Sequence, residues 1–312
     1  MREFKSNERA PTSARGKKAM PVQKQRLSIL CYLALTACLS SFFWTLMIAA
    51  GHVGAGEGLY VTGLMWCPAV AAIATVRLRR LDYAALGLSW SGARYAFYSY
   101  LTPVVYAAIA YALIWSFGFG FFPDPAAIAA IAKKLGWTIT APLAFVPLYF
   151  LLIGTTQMIS SLAHALGEEI GWRGLLTPLM VERFGFTGGT LLIGIIWAAW
   201  HMPLLLFVDY NSGTPWWFSI PCFTALTVGL SVITAWFRLV SNSVWPAAIL
   251  HASHNLFIQG FFTPLTGARG SLTAYAVDEF GVAVPLIIVL FAIGFWLNRK
   301  PALMSPAAAL TS

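Results

Sequence analysis

Residues 27–50 read LSILCYLALTACLSSFFWTLMIAA, a run of 24 without one charged side chain. A bilayer's hydrocarbon core, about 30 Å thick, is crossed by about 20 helical residues rising ~1.5 Å each. This stretch is long enough to span it. Outward from it the pattern repeats in the segments 59–76, 95–117, 142–170, 189–207, 217–237, 243–262 and 281–298, giving eight predicted spans in all. The composition agrees: 59% of the 312 residues are hydrophobic and 10% are charged, where soluble domains average about 25% charged. A soluble chain this apolar would expose large greasy patches. The expectation is therefore an all-α, polytopic membrane helix bundle of about eight transmembrane helices.

Charge orients the bundle. Residues 1–26 hold Arg2, Lys5, Arg9, Arg15, Lys17, Lys18, Lys24 and Arg26 against Glu3 and Glu8, which is +6 of the net +9. Abutting a span, this tail reads as a cytoplasmic segment beside anionic lipid rather than a nucleic-acid binder. No small-residue cleavage site follows a short apolar core, so residues 27–50 read as an uncleaved first helix. Loop 77–94 carries Arg77, Arg79, Arg80 and Arg94. Loop 171–188 carries Arg173 and Arg183, turn 238–242 carries Arg238, and the end carries Arg299 and Lys300. The opposite loops hold Glu57, Asp124, Lys133, Lys134, Asp209, Arg269, Asp278 and Glu279. The positive-inside rule then places both termini in the cytoplasm, and residues 124–140 read as an interfacial helix on the other face. With no internal repeat, the chain divides into a basic cytoplasmic tail (1–26), one transmembrane domain (27–298) and a C-terminal cytoplasmic tail (299–312). Cys31, Cys38, Cys67 and Cys222 lie in apolar segments without metal-ligand spacing and read as small buried hydrophobes.

Ionisable groups in hydrocarbon cost roughly 2.5–3.5 kcal/mol each on insertion scales, so their placement is informative. The fourth span ends Ala165-Leu166-Gly167-Glu168-Glu169-Ile170-Gly171-Trp172-Arg173-Gly174. Adjacent helical carboxylates point about 100° apart and cannot share one job. Glu169 and Arg173, at i and i+4, are set for an ion pair. Glu168 is left to face the bundle, as a general base if desolvated. The fifth span carries Trp197 and His201 one turn apart, with Pro203 beyond. The seventh carries His251, His254 and Asn255 at i, i+3 and i+4, hence on one face. Each feature has a plainer reading: interfacial glutamates, a histidine bridging helices, a polar packing stripe. Together they make Glu168 and His201 candidates to activate water, and His251 and Asn255 candidates to bind an oxyanion. His254 is read as supporting its neighbours. Glu168, His201 and His251 are also a candidate zinc ligand set. No HExxH occurs, and spacing does not decide between the two.

These three segments resemble the CPBP family of intramembrane proteases, which comprises CAAX prenyl proteases (CAAX prenyl protease 2) and bacteriocin-processing, lysostaphin-resistance-like proteins. Its EExxxR, aromatic-xxx-His and HxxxN/D motifs stand here as Glu168-Glu169-xxx-Arg173, Trp197-xxx-His201 and His251-xxx-Asn255. Trp197 stands where many members have Phe. The likeness covers a core of about 143–262. It implies an intramembrane endopeptidase, glutamic or metallo, acting on a peptide or a prenylated protein at a site reached from the cytosol. A bacterial cell membrane is the expected location. The role of the N-terminal tail and of 263–280 is not given by the resemblance. The alternative of a different class is a proton-coupled transporter using the same Glu and His residues, against which stands the lack of a two-fold repeat.

Overall fold

The computed structural model describes residues 20–138 and 142–304. Most of the basic tail and of the C-terminal tail lies outside the described residues. The helices are α1 (Val22–Ala50), α2 (Leu59–Leu78), α3 (Ala93–Ser116), α4 (Pro125–Leu135), α5 (Pro142–Leu152), α6 (Met158–Glu169), α7 (Thr177–Phe207), α8 (Trp216–Ser241), α9 (Trp245–Asn255), α10 (Ala283–Leu297) and α11 (Lys300–Leu303). Wider π-helical turns at Ile153–Gln157 and Ile170–Leu176 join α5, α6 and α7, and a third, Leu256–Phe262, extends α9. The one strand pair among the described residues is short: Gly120–Phe121 runs antiparallel to Gly267–Ala268.

The chain is an all-α membrane bundle. Each of the eight predicted spans falls on helix. Val22–Ala50, Ala55–Leu78, Ala93–Ser116, Ala144–Phe207 and Trp216–Ser241 meet both length and apolarity for crossing a membrane. The fourth is 64 residues long and turns at Gly185, whose φ of 70° and ψ of 171° are open to glycine without strain. It therefore carries two of the predicted spans.

Two sequence expectations are corrected. The first helix begins at Val22, so Lys24 and Arg26 ride on it rather than in a tail. Residues 171–184 are helical, and Arg173 is 0% exposed inside the bundle rather than in a loop. A charge flanking an apolar run looks like a loop residue, but internal partners let it stay buried. Arg238 is likewise inside α8, with its guanidinium donating to the carbonyls of Arg173 (3.0 Å) and Ala85 (2.8 Å). Of the cysteines only Cys67 is buried, and Cys38 is exposed on the bundle surface.

The bundle has two distinct ends. At one, the 79–92 turn meets the start of α9: Ser243 Oγ donates to Ser89 O and Trp245 Nε1 to Leu88 O, both at 2.7 Å. Trp296 Nε1 reaches Thr187 Oγ1 here too (2.8 Å). This arginine end carries Arg79, Arg80, Arg183 and Arg299. At the other, Val53 N donates to Asp209 Oδ1 (2.8 Å) and Asp124 N to Leu265 O (2.9 Å). Segment 263–282 folds over this loop end.

Between the ends, α6 presses on α2. A Cβ on Gly167 would lie 2.7 Å from Met65 O, and one on Gly171 2.5 Å from both Pro68 Cβ and Tyr32 Oη. The small-xxx-small spacing lets the two backbones approach, while Glu168 and Glu169 are buried in the bundle interior.

Candidate active site

Glu168, His201, His251 and Asn255 all line one cavity of about 170 Å³. Five helices converge to make it: α2, the end of α6, the second half of α7, α8 and the end of α9. The cavity also takes in Trp197, His254, Gln259, Tyr210 and Glu279.

The glutamates divide as their angular separation predicts. Glu168 Oε2 accepts from two indoles, Trp197 Nε1 (2.8 Å) and Trp172 Nε1 (3.2 Å). Its Oε1 has no protein partner among the described residues. Glu169 points the other way and is fully buried. Its Oε1 accepts from Arg173 Nη1 at 2.8 Å and from His251 Nδ1 at 2.9 Å. Arg173 spends its remaining donors on Thr234 Oγ1 (2.8 Å) and Ser231 Oγ (3.2 Å), and its guanidinium lies 4.3 Å from the centre of the Trp197 ring. The i,i+4 ion pair was legible in the sequence; its hold on His251 was not.

Both candidate histidines are tautomerically fixed by their partners. His201 Nδ1 donates to the carbonyl of Trp197 (2.9 Å), which leaves Nε2 unengaged by protein. The His201 ring meets Trp200 edge-on at 4.8 Å and Phe223 at 4.9 Å. His251 gives its Nδ1 proton to Glu169, a carboxylate that can only accept, so its Nε2 is also unengaged. Trp197 contacts His251 edge-on at 5.4 Å. The Asn255 amide has no hydrogen-bond partner among the described residues. Thus one carboxylate oxygen, two imidazole nitrogens and one amide are left available in a cavity walled by apolar and aromatic side chains.

His254 faces the same cavity from the edge of the stripe. Its Nδ1 pairs with Tyr106 Oη (2.7 Å) and its Nε2 with Glu279 Oε1 (2.8 Å). Glu279 was not singled out from the sequence. It sits in the segment 263–282, and nothing local separates it from an ordinary loop acid. It also accepts from Gln259 Nε2 (3.0 Å) and Tyr210 Oη (3.2 Å). Burial works to raise its carboxyl, but the hydrogen bond and charge of His254 outweigh this and hold it below the usual glutamate range. Its neighbour Asp278 behaves oppositely: burial, then the Glu279 charge, push it up to about 6.

Among the described residues no three His, Cys, Asp or Glu side chains are placed to hold a metal ion together. Glu168 Oε1 and the Nε2 atoms of His201 and His251 have no protein partner among the described residues.

The cavity lies toward one end of the bundle. Its lining includes Val53, Tyr210 and Glu279, which belong to the loop end.

Residues 148–257 match a known family, type II CAAX prenyl endopeptidase Rce1-like. A stretch of 120 residues is 31% identical to the CAAX prenyl protease 2 of Methanococcus maripaludis. That alignment covers 36% of this chain and 40% of the relative. The family match spans Glu168, His201, His251 and Asn255 by number.

Proposed function

From the match of residues 148–257 to the Rce1-like family of type II CAAX prenyl endopeptidases, we propose that this integral membrane protein hydrolyses peptide bonds of a peptide or protein substrate in the cavity around Glu168. The observation that carries the reading is the pairing of an unengaged Glu168 Oε1 with an unengaged His201 Nε2 in one cavity that also presents His251 and Asn255.

The chemistry follows from which atoms are free. Glu168, anchored by two indole N–H groups through Oε2, takes a proton from water through Oε1. His201 Nε2 accepts the water's other hydrogen and orients its lone pair. The water oxygen bonds to the scissile carbonyl carbon, and the charge moves to the carbonyl oxygen. His251, protonated and donating from Nε2, and the Asn255 amide stabilise that oxyanion, as pre-aimed donors do in a site with little water. Collapse breaks the C–N bond, and the proton held by Glu168 passes to the leaving amine. Glu169 and Arg173 orient His251 and do not touch substrate. No step requires a metal.

A carboxyl-terminal CAAX-type bond and an internal bond of a small peptide are both within this chemistry. A cytoplasm-facing site in a bacterial membrane would require the arginine end to be outside, against the positive-inside rule. We place the mouth by charge, on the opposite side. The test is mass spectrometry of protein and peptide termini in cells carrying either the wild-type chain or Glu168→Ala. New termini present with the first and missing with the second support the reading; identical termini refute it.

A further inference from the structure

We infer that Glu279 is a specificity-determining residue that selects a lysine or arginine side chain beside an internal scissile bond, an inference that rests on the proteolytic reading above. The cavity wall holds two carboxylates, Glu168 and Glu279, and among its described lining residues there is no lysine or arginine. The contrast with Glu169 is chemical. Glu169 faces a permanent cation, Arg173, at 2.8 Å and lies outside the cavity wall. Glu279 is 3% exposed, lies on the wall, and has His254 as its one hydrogen-bond partner able to carry a positive charge among the described residues.

Gln259, Tyr210 and His254 together supply three donors to Glu279, whereas a carboxylate offers about four lone-pair sites. Those donors fix the carboxylate's position, and of the three only His254 can carry a compensating positive charge. Tyr210, which donates to Glu279, also stacks over His201 with ring centres 6.1 Å apart. The acid is thereby tied to the group proposed to orient the water. A cationic side chain reaching past Tyr210 would meet Glu279 in a low-dielectric setting, where opposite charges attract far more than in water.

The same electrostatics act against a substrate anchored by its terminal carboxylate. Such a group would enter a space holding two carboxylates and no arginine or lysine to receive it. A bond inside a longer peptide brings no such charge.

The test is a library of peptides of mixed sequence, incubated with the purified full-length protein in detergent. Cut sites are read by mass spectrometry for wild type, Glu168→Gln and Glu279→Gln. Wild-type cleavage is expected at internal bonds with lysine or arginine within two residues. Matched lysine and glutamate peptides should differ by about tenfold or more in kcat/KM, the scale of one charge contact. In Glu279→Gln that ratio should collapse toward one while cleavage of a neutral peptide continues. The wild-type profile decides the substrate half even if Glu279→Gln folds poorly. Wild-type cleavage without basic preference, a preference retained in Glu279→Gln, or predominant release of carboxyl-terminal tripeptides would overturn the inference and leave proteolysis standing. Absence of any Glu168-dependent cut would remove the proteolytic reading, and this inference with it.

Discussion

One oxygen of Glu169 holds both Arg173 and His251: Oε1 lies 2.8 Å from Arg173 Nη1 and 2.9 Å from His251 Nδ1. An ion pair that links the end of α6 to the following π-helical turn therefore also sets the ring of a histidine on α9. Buried ion pairs contribute little net stability when intact, but breaking one leaves an uncompensated charge.

Removing either partner is expected to be severe. Arg173→Ala should destabilise by about 3–5 kcal/mol, the usual range for a broken buried pair. Arg173→Lys should also destabilise, because a lysine cannot reproduce the fork to Glu169, Thr234 and Ser231. Thermal unfolding in detergent reads both, and wild-type stability in either would contradict the assignment. Glu169→Gln should lower stability and turnover together, while Glu168→Gln should abolish turnover at near-native stability.

The approach of α6 to α2 gives a second expectation. Gly171→Leu places side-chain atoms where Pro68 and Tyr32 already lie. Overpacking of this kind costs about 1–3 kcal/mol or more. Gly260, beside which a Cβ meets nothing within 4 Å, is the steric control. Equal melting temperatures for Gly171→Leu and Gly260→Ala would show that the backbone contact is not needed.

These two sites differ in how far the sequence revealed them. Glu168, Glu169, His201 and the His251–Asn255 stripe were legible because polar residues at helical spacing stand out in apolar runs. The ion pair was legible from i,i+4 spacing alone. Arg173 and Arg238 were misplaced because a sequence shows the charge but not the carbonyls and hydroxyls that satisfy it inside. Glu279 escaped notice because its partners come from α9, its π-helical extension and the 208–215 loop, and no local pattern joins them.

Metal dependence separates the two mechanisms that the sequence left open. With no three ligating side chains placed to share an ion, activity is expected to survive a strong chelator that enters the cavity. Metal analysis of the purified protein should fall well below one ion per chain. Activity lost to chelator and restored by Zn²⁺ would contradict this site geometry.

Orientation is tested by reporter fusions. Charge places the arginine end inside, so fusions at residues 85 and 187 should report the cytoplasm, and fusions at 56 and 125 the opposite side. The cavity mouth, near Val53, Tyr210 and Glu279, would then open away from the cytoplasm. A consistent reversal would put the mouth in the cytoplasm and set aside the charge argument.

The central claim is that the Glu168 carboxylate drives peptide hydrolysis in this cavity, and the most direct measurement pairs two assays on one preparation. Purified wild-type protein and Glu168→Gln are compared for peptide cleavage in detergent and for proton flux in liposomes. The account expects cleavage by wild type, a loss of at least about a hundredfold in kcat for Glu168→Gln, in line with removal of a general base, and no proton flux from either. Cleavage undiminished in Glu168→Gln, or Glu168-dependent proton flux without any cleavage, would contradict it.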